Sequence, residues 1–181
     1  MPKTVARIPA GSRRELGWVN WIICRFAARA IRAPQMHLFT TLGRHRLLFL
    51  SFLPYSGVLL NWGTLPKTDK ELVILRVGHL RGSEYELQQH RRLARSRGLD
   101  AACQQRIFAG PAAEGLTARQ RALLTATDEF VMNRDITDGV FAELAAHLSQ
   151  AQIIEFCALA AHYDGIAGML AALRVPMDFA D

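Results

Sequence analysis

Cysteine is scarce in this sequence, with three residues in 181. Cys24, Cys103 and Cys157 lie far apart, and none belongs to a CxxC pair or to a cysteine and histidine spacing that binds zinc. The sequence therefore excludes a zinc site formed by closely spaced cysteines and histidines, and it excludes a CxxC redox motif. We expect three reduced thiols in a cytoplasmic protein that uses neither a metal nor a cofactor.

The sequence also lacks an apolar run of membrane-spanning length. The most hydrophobic stretch, residues 47–62, is shorter than the ~20 residues that a membrane helix needs, and Pro54, Ser56 and Gly57 interrupt it. The first twenty residues are basic but have no apolar core followed by a small-residue cleavage site, so they do not resemble a secretory signal. We expect no membrane partner, and we assign residues 47–62 to the core or to a subunit interface.

Acidic residues are too few to balance the basic ones, and the formal net charge is +6. A basic surface attracts the phosphate backbone of nucleic acids. The basic residues are scattered along the sequence, however, and no zinc-finger, RNP or homeodomain pattern accompanies them. The densest segment, HRRLARSR at residues 90–97, lies on a predicted helix, where a solvated basic face is the common arrangement. We expect no nucleic-acid partner.

Apolar residues return every three or four positions through most of the chain, and no sustained alternation indicates a strand. This pattern predicts an all-α fold, a bundle of about eight helices in a single domain over residues 1–181. We divide it into an N-terminal helical extension, a core and a C-terminal helix at residues 1–64, 65–148 and 149–181. The predicted helices are 12–32, 37–53, one that Thr68 or Asp69 caps and Gly82 ends, 83–97, a short one from 98, 117–132, 138–148 and 149–173.

Two details of this prediction concern the N-terminal helices. The first helix has apolar residues on one side, as expected of a helix that packs on a core. Pro54 is predicted to end the second helix, because proline interrupts the backbone hydrogen bonds of a helix interior. The apolar side of the first helix consists of Leu16, Val19, Ile22, Ile23 and Phe26.

A serine, a glutamate and a histidine recur at close spacing in the segment GSEYELQQH, residues 82–90. Ser83 and Glu86 have the S-x-x-E spacing of a capping box, in which each side chain satisfies a backbone N–H at a helix start. His90 follows Glu86 by four residues, so the two share a helix face. Ordinary solvated helices also show both arrangements, so a purely structural role stays open.

Glu71 lies twelve positions before Ser83, at the start of the apolar stretch ELVILRVGHL. A carboxylate that is buried in such a helix needs a partner, because burial disfavours an isolated charge. The alternative is that Glu71 belongs to an exposed first turn, where acidic residues complement the helix dipole.

Together these four residues resemble the motif of the alkylhydroperoxidase D and carboxymuconolactone decarboxylase superfamily. Members carry a glutamate, eleven residues and then C-x-x-C-x-x-x-H, and here Glu71, Ser83, Glu86 and His90 occupy the four positions with the same spacing. The surrounding string is similar to a branch in which C-E-Y-E-W-x-x-H replaces the double-cysteine motif. The resemblance covers about residues 65–148, extends to the terminal helices, and implies an alkylhydroperoxidase D-like helical bundle that assembles as a dimer, trimer or hexamer.

The resemblance also implies catalytic roles for the four motif residues. His90 would be the base or proton shuttle and Glu71 its partner, while Glu86 would be a second acid or an orienting acceptor and Ser83 a hydrogen-bond donor. Two carboxylates and an imidazole at one site suit decarboxylation or isomerisation of a small carboxylated or lactone-type molecule.

Further residues are candidates for substrate binding. Arg76 and Arg81 are the cations nearest in sequence that a carboxylate substrate could use, although Arg81 could instead complement a helix C-terminus. Tyr85 either faces the same pocket or packs against a neighbouring subunit. His162 belongs to an H-Y pair that resembles one in the same branch.

Two other functions stay open. A small-molecule-binding protein could have kept the scaffold and lost the reaction, and a capping box that occupies Ser83 and Glu86 would favour it. No sequence motif supports redox chemistry through the three cysteines. A peroxiredoxin-type assignment would therefore rest on the family resemblance alone.

We predict that the purified protein does not reduce hydroperoxides with a dithiol or lipoyl-type reductant. The family's reaction needs an attacking thiolate and a resolving thiol, and Ser83 and Glu86 stand at those positions. A coupled peroxidase assay checks this, and substantial turnover that a Ser83→Ala change abolishes would contradict it.

Overall fold

The computed structural model describes residues 5–179 and is helical throughout, with no strand among those residues. The all-α prediction is confirmed; the predicted domain limits at residues 1 and 181 lie outside the described part. Nine α-helices and one π-helix are present in residues 5–179. They are α1 (Arg13–Ala30), α2 (His37–Leu42), α3 (Arg46–Gly57), the π-helix (Val58–Trp62), α4 (Lys67–Leu80), α5 (Glu84–Ser96), α6 (Ala101–Ala109), α7 (Ala118–Asn133), α8 (Asp138–Ala145) and α9 (Gln150–Leu173).

The helices group into two compact units. Among the described residues, a central unit comprises Leu59–Gly168, and a terminal unit comprises residues 5–58 with residues 169–179. The division into an extension, a core and a C-terminal helix within one domain stays a prediction.

Helix α4 forms the centre of the central unit and packs against α5, α6 and α7. Every residue from Asp69 to Gly78 is buried, as expected for a helix with apolar residues around most of its circumference. The charged residues among them have partners: Asp69 pairs with Arg119 at 2.7 Å, and Lys70 pairs with Glu155 at 2.8 Å. A buried charge requires such a partner, so α4 is held by ion pairs as well as by apolar packing.

Helix starts follow the sequence signals at some positions and not at others. Thr117 and Gln120 form the predicted capping box of α7. The prediction that Thr68 or Asp69 caps α4 is wrong: the helix begins at Lys67 after Pro66. The Asp69 carboxylate faces Arg119 instead of the helix terminus, and Pro66 presets a φ of −53°.

The predicted apolar side of α1 is only partly correct. The helix buries Leu16 and then one residue each turn, Asn20, Cys24 and Ala28, while Val19, Ile22 and Phe26 are exposed. Two features that apolar periodicity does not reveal affect which residues of α1 are buried. Gly17 has φ of +76° and kinks the helix, and the Asn20 side chain donates to the Gly43 carbonyl oxygen at 3.1 Å.

Pro54 does not end a helix, contrary to the prediction. The predicted 37–53 helix is instead interrupted at Gly43, where α2 ends, and α3 runs through Pro54 to Gly57. Proline removes its own N–H donor but keeps its carbonyl, which accepts from the Val58 N–H. The chain then continues directly into the π-helix.

The segment of residues 47–62 exposes large apolar side chains. Leu47 and Trp62 are about three-quarters exposed. The expectation that a second copy of the chain covers this stretch stays a prediction. Within residues 5–179, α9 is the one helix that is long and apolar enough to cross a membrane. Core helices of soluble proteins share these properties, and Phe156 and Leu159 of α9 are fully buried.

We predict that Gly63→Ala lowers the free energy of unfolding by about 2 kcal/mol or more, because it disrupts a buried ion pair. A Cβ at Gly63 would lie 1.9 Å from Glu155 Oε1, which pairs with buried Lys70. Urea denaturation measures the change. Gly168→Ala in α9 is the control, since nothing lies within 4 Å of its Cβ position. Equal effects of the two changes would contradict the prediction.

Candidate active site

The site begins with a carboxylate of α4 and an imidazole of α5. Glu71 is fully buried, which removes the alternative of an exposed first turn, and its Oε2 lies 2.9 Å from His90 Nδ1. The two residues are nineteen positions apart, and the packing of α5 against α4 brings them together. The structure thus gives the buried carboxylate a specific partner.

Arg97 is a further member of this cluster that sequence reasoning missed. Its guanidinium donates to Glu71 Oε1 at 2.7 Å and reaches Asn61 Oδ1 at 3.3 Å. Arg97 was assigned to a solvated basic face, yet its side chain is only 10% exposed. Its position seven residues after His90, two helical turns along α5, was the signal that both share a face.

The cluster fixes how His90 can exchange protons. Both oxygens of the Glu71 carboxylate are occupied, one by Arg97 and one by the imidazole. When the carboxylate accepts a hydrogen bond from the Nδ1–H group, the free lone pair of the neutral ring is on Nε2. Glu71 therefore orients the His90 ring and leaves Nε2 as the nitrogen with a free lone pair.

Glu86, one turn before His90, has the opposite environment. It is buried, and neither carboxylate oxygen has a hydrogen-bond partner of standard geometry within residues 5–179. Burial raises the pKa of Glu86 to about 7; the Ser83 hydroxyl and the charge of His90 lower it in part, and Asp164 raises it further. Near neutral pH this carboxyl group is present in both protonation states.

The capping box predicted for Ser83 and Glu86 is not formed in the described part of the chain. Ser83 does precede the first residue of α5, but its backbone N–H donates to the Gly78 carbonyl oxygen at 2.8 Å. Gly82, with φ of +59°, makes the left-handed turn that this bond requires at the end of α4. The donor that Glu86 would have used is therefore occupied.

Two aromatic residues of α9 border the cluster. The Tyr163 ring meets the His90 ring edge to face, with centroids 5.0 Å apart, and the His162 ring lies 5.5 Å from that of Tyr163. Burial, with a contribution from the charges of Glu71 and Glu86, raises the pKa of Tyr163 above its usual range. Burial lowers the pKa of His162 to about 4, so His162 is neutral at physiological pH. The H-Y pair was the sequence signal for both.

The two arginines predicted to bind substrate already bind carboxylates of the chain. Arg76 makes two hydrogen bonds to Asp128, at 2.6 and 2.7 Å, and also donates to the Ile107 and Phe108 carbonyl oxygens. Arg81 donates to Asp164 and, at 2.6 Å, to the Val131 carbonyl oxygen. Tyr85 is buried within the chain. Roles of Arg76, Arg81 and Tyr85 in substrate binding stay predictions.

Two of the three thiols differ from those of a redox centre. Burial raises the pKa of Cys24 to about 11 and also raises that of Cys157, so both are protonated at neutral pH. Cys103 accepts a hydrogen bond from Arg106 at 3.0 Å. In the part of the chain that the structure describes, no three His, Cys, Asp or Glu side chains are grouped to hold a metal ion.

A family model and several solved structures are similar to the chain. The model of the carboxymuconolactone decarboxylase family matches residues 48–129, a range that includes Glu71, Ser83, Glu86 and His90. No curated protein matches.

The similar structures extend over nearly the whole chain at low sequence identity. An alkylhydroperoxidase AhpD core protein from Ralstonia eutropha JMP134, described as an uncharacterized peroxidase-related protein, has a TM-score of 0.82 at 16% identity, over 96% of this chain and 93% of that chain. An uncharacterized peroxidase-related protein from Silicibacter sp. TM1040 has a TM-score of 0.79 at 13% identity, over 96% and 94%. A variant of the debrominase Bmp8, in complex with 2,3,4-tribromopyrrole, has a TM-score of 0.79 at 15% identity, over 97% and 93%. These likenesses show the fold.

We predict that Glu86 makes the protein less stable as pH rises from about 4.5 to about 7. The folded state holds the Glu86 proton up to a pKa of about 7, whereas the unfolded chain releases it near the ordinary value of 4.5. The difference in unfolding free energy between the wild type and Glu86→Gln should therefore change by about 3 kcal/mol across this interval, in favour of the variant at higher pH.

Urea denaturation at a series of pH values measures this difference. Glu84→Gln, at an exposed position of the same helical turn, is the matched control and should show no such change. A wild-type minus Glu86→Gln difference that is constant with pH would contradict the assignment.

Proposed function

Since residues 48–129 belong to the carboxymuconolactone decarboxylase family, we propose that the chain catalyses decarboxylation or isomerisation of a small carboxylated or lactone-type molecule by acid and base chemistry. The reaction uses side chains of the chain alone, and it does not proceed through a thiol peroxidase mechanism.

The observation that carries the proposal is the contrast between two neighbouring carboxyl groups. Glu71 is paired with both His90 and Arg97, whereas Glu86 is buried beside them without a partner of standard geometry in the described residues. Catalytic sites that need an acid and a base at one pH place such groups in environments that separate their protonation behaviour. Buried carboxyl groups in proteins usually have hydrogen-bond partners, so a buried carboxyl group without one of standard geometry is a candidate for a functional role.

His90 has the role of the base in this proposal. Its Nδ1 is held by Glu71, so Nε2 takes a proton from the carbon next to a carbonyl group, and the electron pair moves onto the carbonyl oxygen. The nearby Glu86, in its protonated form, returns a proton to carbon in an isomerisation. With a pKa of about 7, it can give up that proton and regain it near neutral pH.

A decarboxylation uses the same groups with a different first step. The bond between carbon and the carboxylate breaks, CO₂ leaves, and the electron pair stays on the carbon, where an adjacent carbonyl stabilises it. The carbon then takes a proton from Glu86 or from protonated His90. The Ser83 hydroxyl, whose hydrogen bonding affects the Glu86 carboxyl group, positions that group.

The residue at position 83 supports acid and base chemistry over thiol chemistry. A serine hydroxyl cannot be cycled through a disulfide, and buried Cys24 and half-buried Cys157 remain protonated. The debrominase among the similar structures illustrates that one fold serves different reactions. The choice between them depends on the side chains at the motif positions.

We predict that His90→Gln lowers kcat/KM by 100-fold or more for any substrate found in a panel of small lactones and keto acids, because the base is removed. His79→Gln is the matched control, since this exposed histidine of α4 stacks on Phe108 and does not contact Glu71.

The dependence of kcat/KM on pH should show a group with a pKa of about 7 that is absent in Glu86→Gln.

Two outcomes would contradict the proposal. Turnover that survives His90→Gln would place the chemistry elsewhere. Binding of panel members without turnover, measured by calorimetry, would support instead a non-catalytic binding protein on the same scaffold.

A further inference from the structure

The positive charge of the chain is concentrated at its N-terminal end. Residues 1–58 contain nine lysines and arginines and one acidic residue, a charge of +8, whereas residues 59–181 contain thirteen basic and fifteen acidic residues, a charge of −2. The one acidic residue, Glu15, pairs with Arg44 at 2.6 Å and caps its own helix. Such an asymmetry indicates a partner with a negatively charged surface.

Helix α1 in this region exposes large apolar side chains on the face opposite its buried residues. Trp18 and Val19 are each 61% exposed, Ile22 is 41% exposed and Phe26 is 70% exposed. A single exposed apolar residue needs no explanation, but four within nine positions of one helix form an apolar patch.

Arginines accompany this apolar patch. In residues 5–179, none of Arg13, Arg14, Arg25 and Arg29 forms an ion pair. The Arg13 guanidinium lies over the Trp18 ring at 3.6 Å from its centroid, so the cation and the apolar surface are adjacent. These groups are exposed on α1, where they can meet anions.

A hollow of about 610 Å³ lies beside this face within the terminal unit. Arg25 and Arg29 line it together with Trp21, Ile22 and Phe26, so it joins two cations to apolar walls. A phospholipid, which combines an anionic headgroup with acyl chains, has the same two properties.

We propose that α1 is a membrane-surface helix that docks the protein on bilayers containing anionic lipids. The helix lies in the plane of the interface, with Trp18, Val19, Ile22 and Phe26 among the upper acyl chains and the arginines at the headgroup phosphates. Helices that bind in this way combine a basic face with tryptophan and phenylalanine on an apolar face. The expectation of no membrane partner rested on the lack of a spanning segment, which this mode of binding does not require.

Charge argues for a bilayer against two other occupants. An isologous contact through α1 would bring the same cationic face of two copies together, and juxtaposed like charges oppose association. Nucleic acid would satisfy the arginines but not Val19 and Ile22, because aliphatic side chains gain little from a phosphate backbone. An anionic bilayer accommodates both the arginines and the apolar side chains. This inference is independent of the proposed reaction.

Vesicle flotation tests the proposal with the full chain. The protein should float with vesicles of phosphatidylcholine and phosphatidylglycerol, should not float with phosphatidylcholine alone, and should be released by high salt. Arg25→Gln with Arg29→Gln should weaken partition by about 25-fold, roughly five-fold for each arginine. Phe26→Ser should weaken it by about ten-fold, because one buried aromatic side chain is lost.

Matched controls are Arg95→Gln and Ile154→Ser, which alter exposed basic and apolar residues of the central unit and should leave flotation unchanged. Insertion is measured separately by quenching of Trp18 fluorescence with bromine-labelled acyl chains, in a Trp21→Phe, Trp62→Phe background. Because the altered side chains of α1 are exposed, thermal unfolding should not change.

Three results would overturn the proposal. The first is no flotation with the anionic vesicles. The second is flotation without quenching of Trp18 and without an effect of Phe26→Ser, which would indicate a general attraction to polyanions. The third is a change in oligomeric state caused by Phe26→Ser in sedimentation velocity, which would assign this face to a contact between copies of the chain.

Discussion

The buried carboxylate of Glu71 is the constraint on which the site depends. A carboxylate without solvent access must receive hydrogen bonds from charged or polar donors, and they come from His90 of α5 and from Arg97, the residue that directly follows α5. Because one donor lies on α5 and the other at its C-terminal end, the Glu71 interactions fix the rotation of α5 against α4. They also fix the orientation of the imidazole. One interaction thereby contributes to helix packing and to the placement of the candidate base.

The end of α4 then determines the state of the second carboxyl group. The left-handed turn at Gly82 directs the Ser83 N–H to the Gly78 carbonyl oxygen, which leaves no backbone donor at that position for Glu86. Within the described residues Glu86 is buried without a hydrogen-bond partner of standard geometry, and burial raises its pKa to about 7 even though the Ser83 hydroxyl lowers it in part. The connection between two helices thus contributes to the environment in which the pKa of this carboxyl group is raised.

Apolar periodicity predicted the all-α fold, and the spacing of a short motif carried the family resemblance, which implied that Glu71 is the partner of His90. Sequence patterns failed where a residue had two possible partners. The S-x-x-E spacing at Ser83 indicated a capping box, but the competing bond to Gly78 joins another helix. The spacing of Arg97 from His90 indicated a shared helix face, but the sequence did not show that α4 packs against that face, so Arg97 was predicted to be solvated. The kink at Gly17 likewise exposed the apolar side of α1 that periodicity assigned to the core.

Within the described residues, Glu86 is a buried carboxyl group that no donor of standard geometry satisfies, and it lies near the paired Glu71 and His90. The most direct measurement is an NMR titration of the glutamate side-chain carboxyl carbons, with Glu86→Gln used to assign the resonance. One glutamate resonance should titrate at a pKa of about 7, and that resonance should be missing in the variant. A Glu86 resonance that titrates near the ordinary value of 4.5 would contradict the assignment of Glu86 as the buried group.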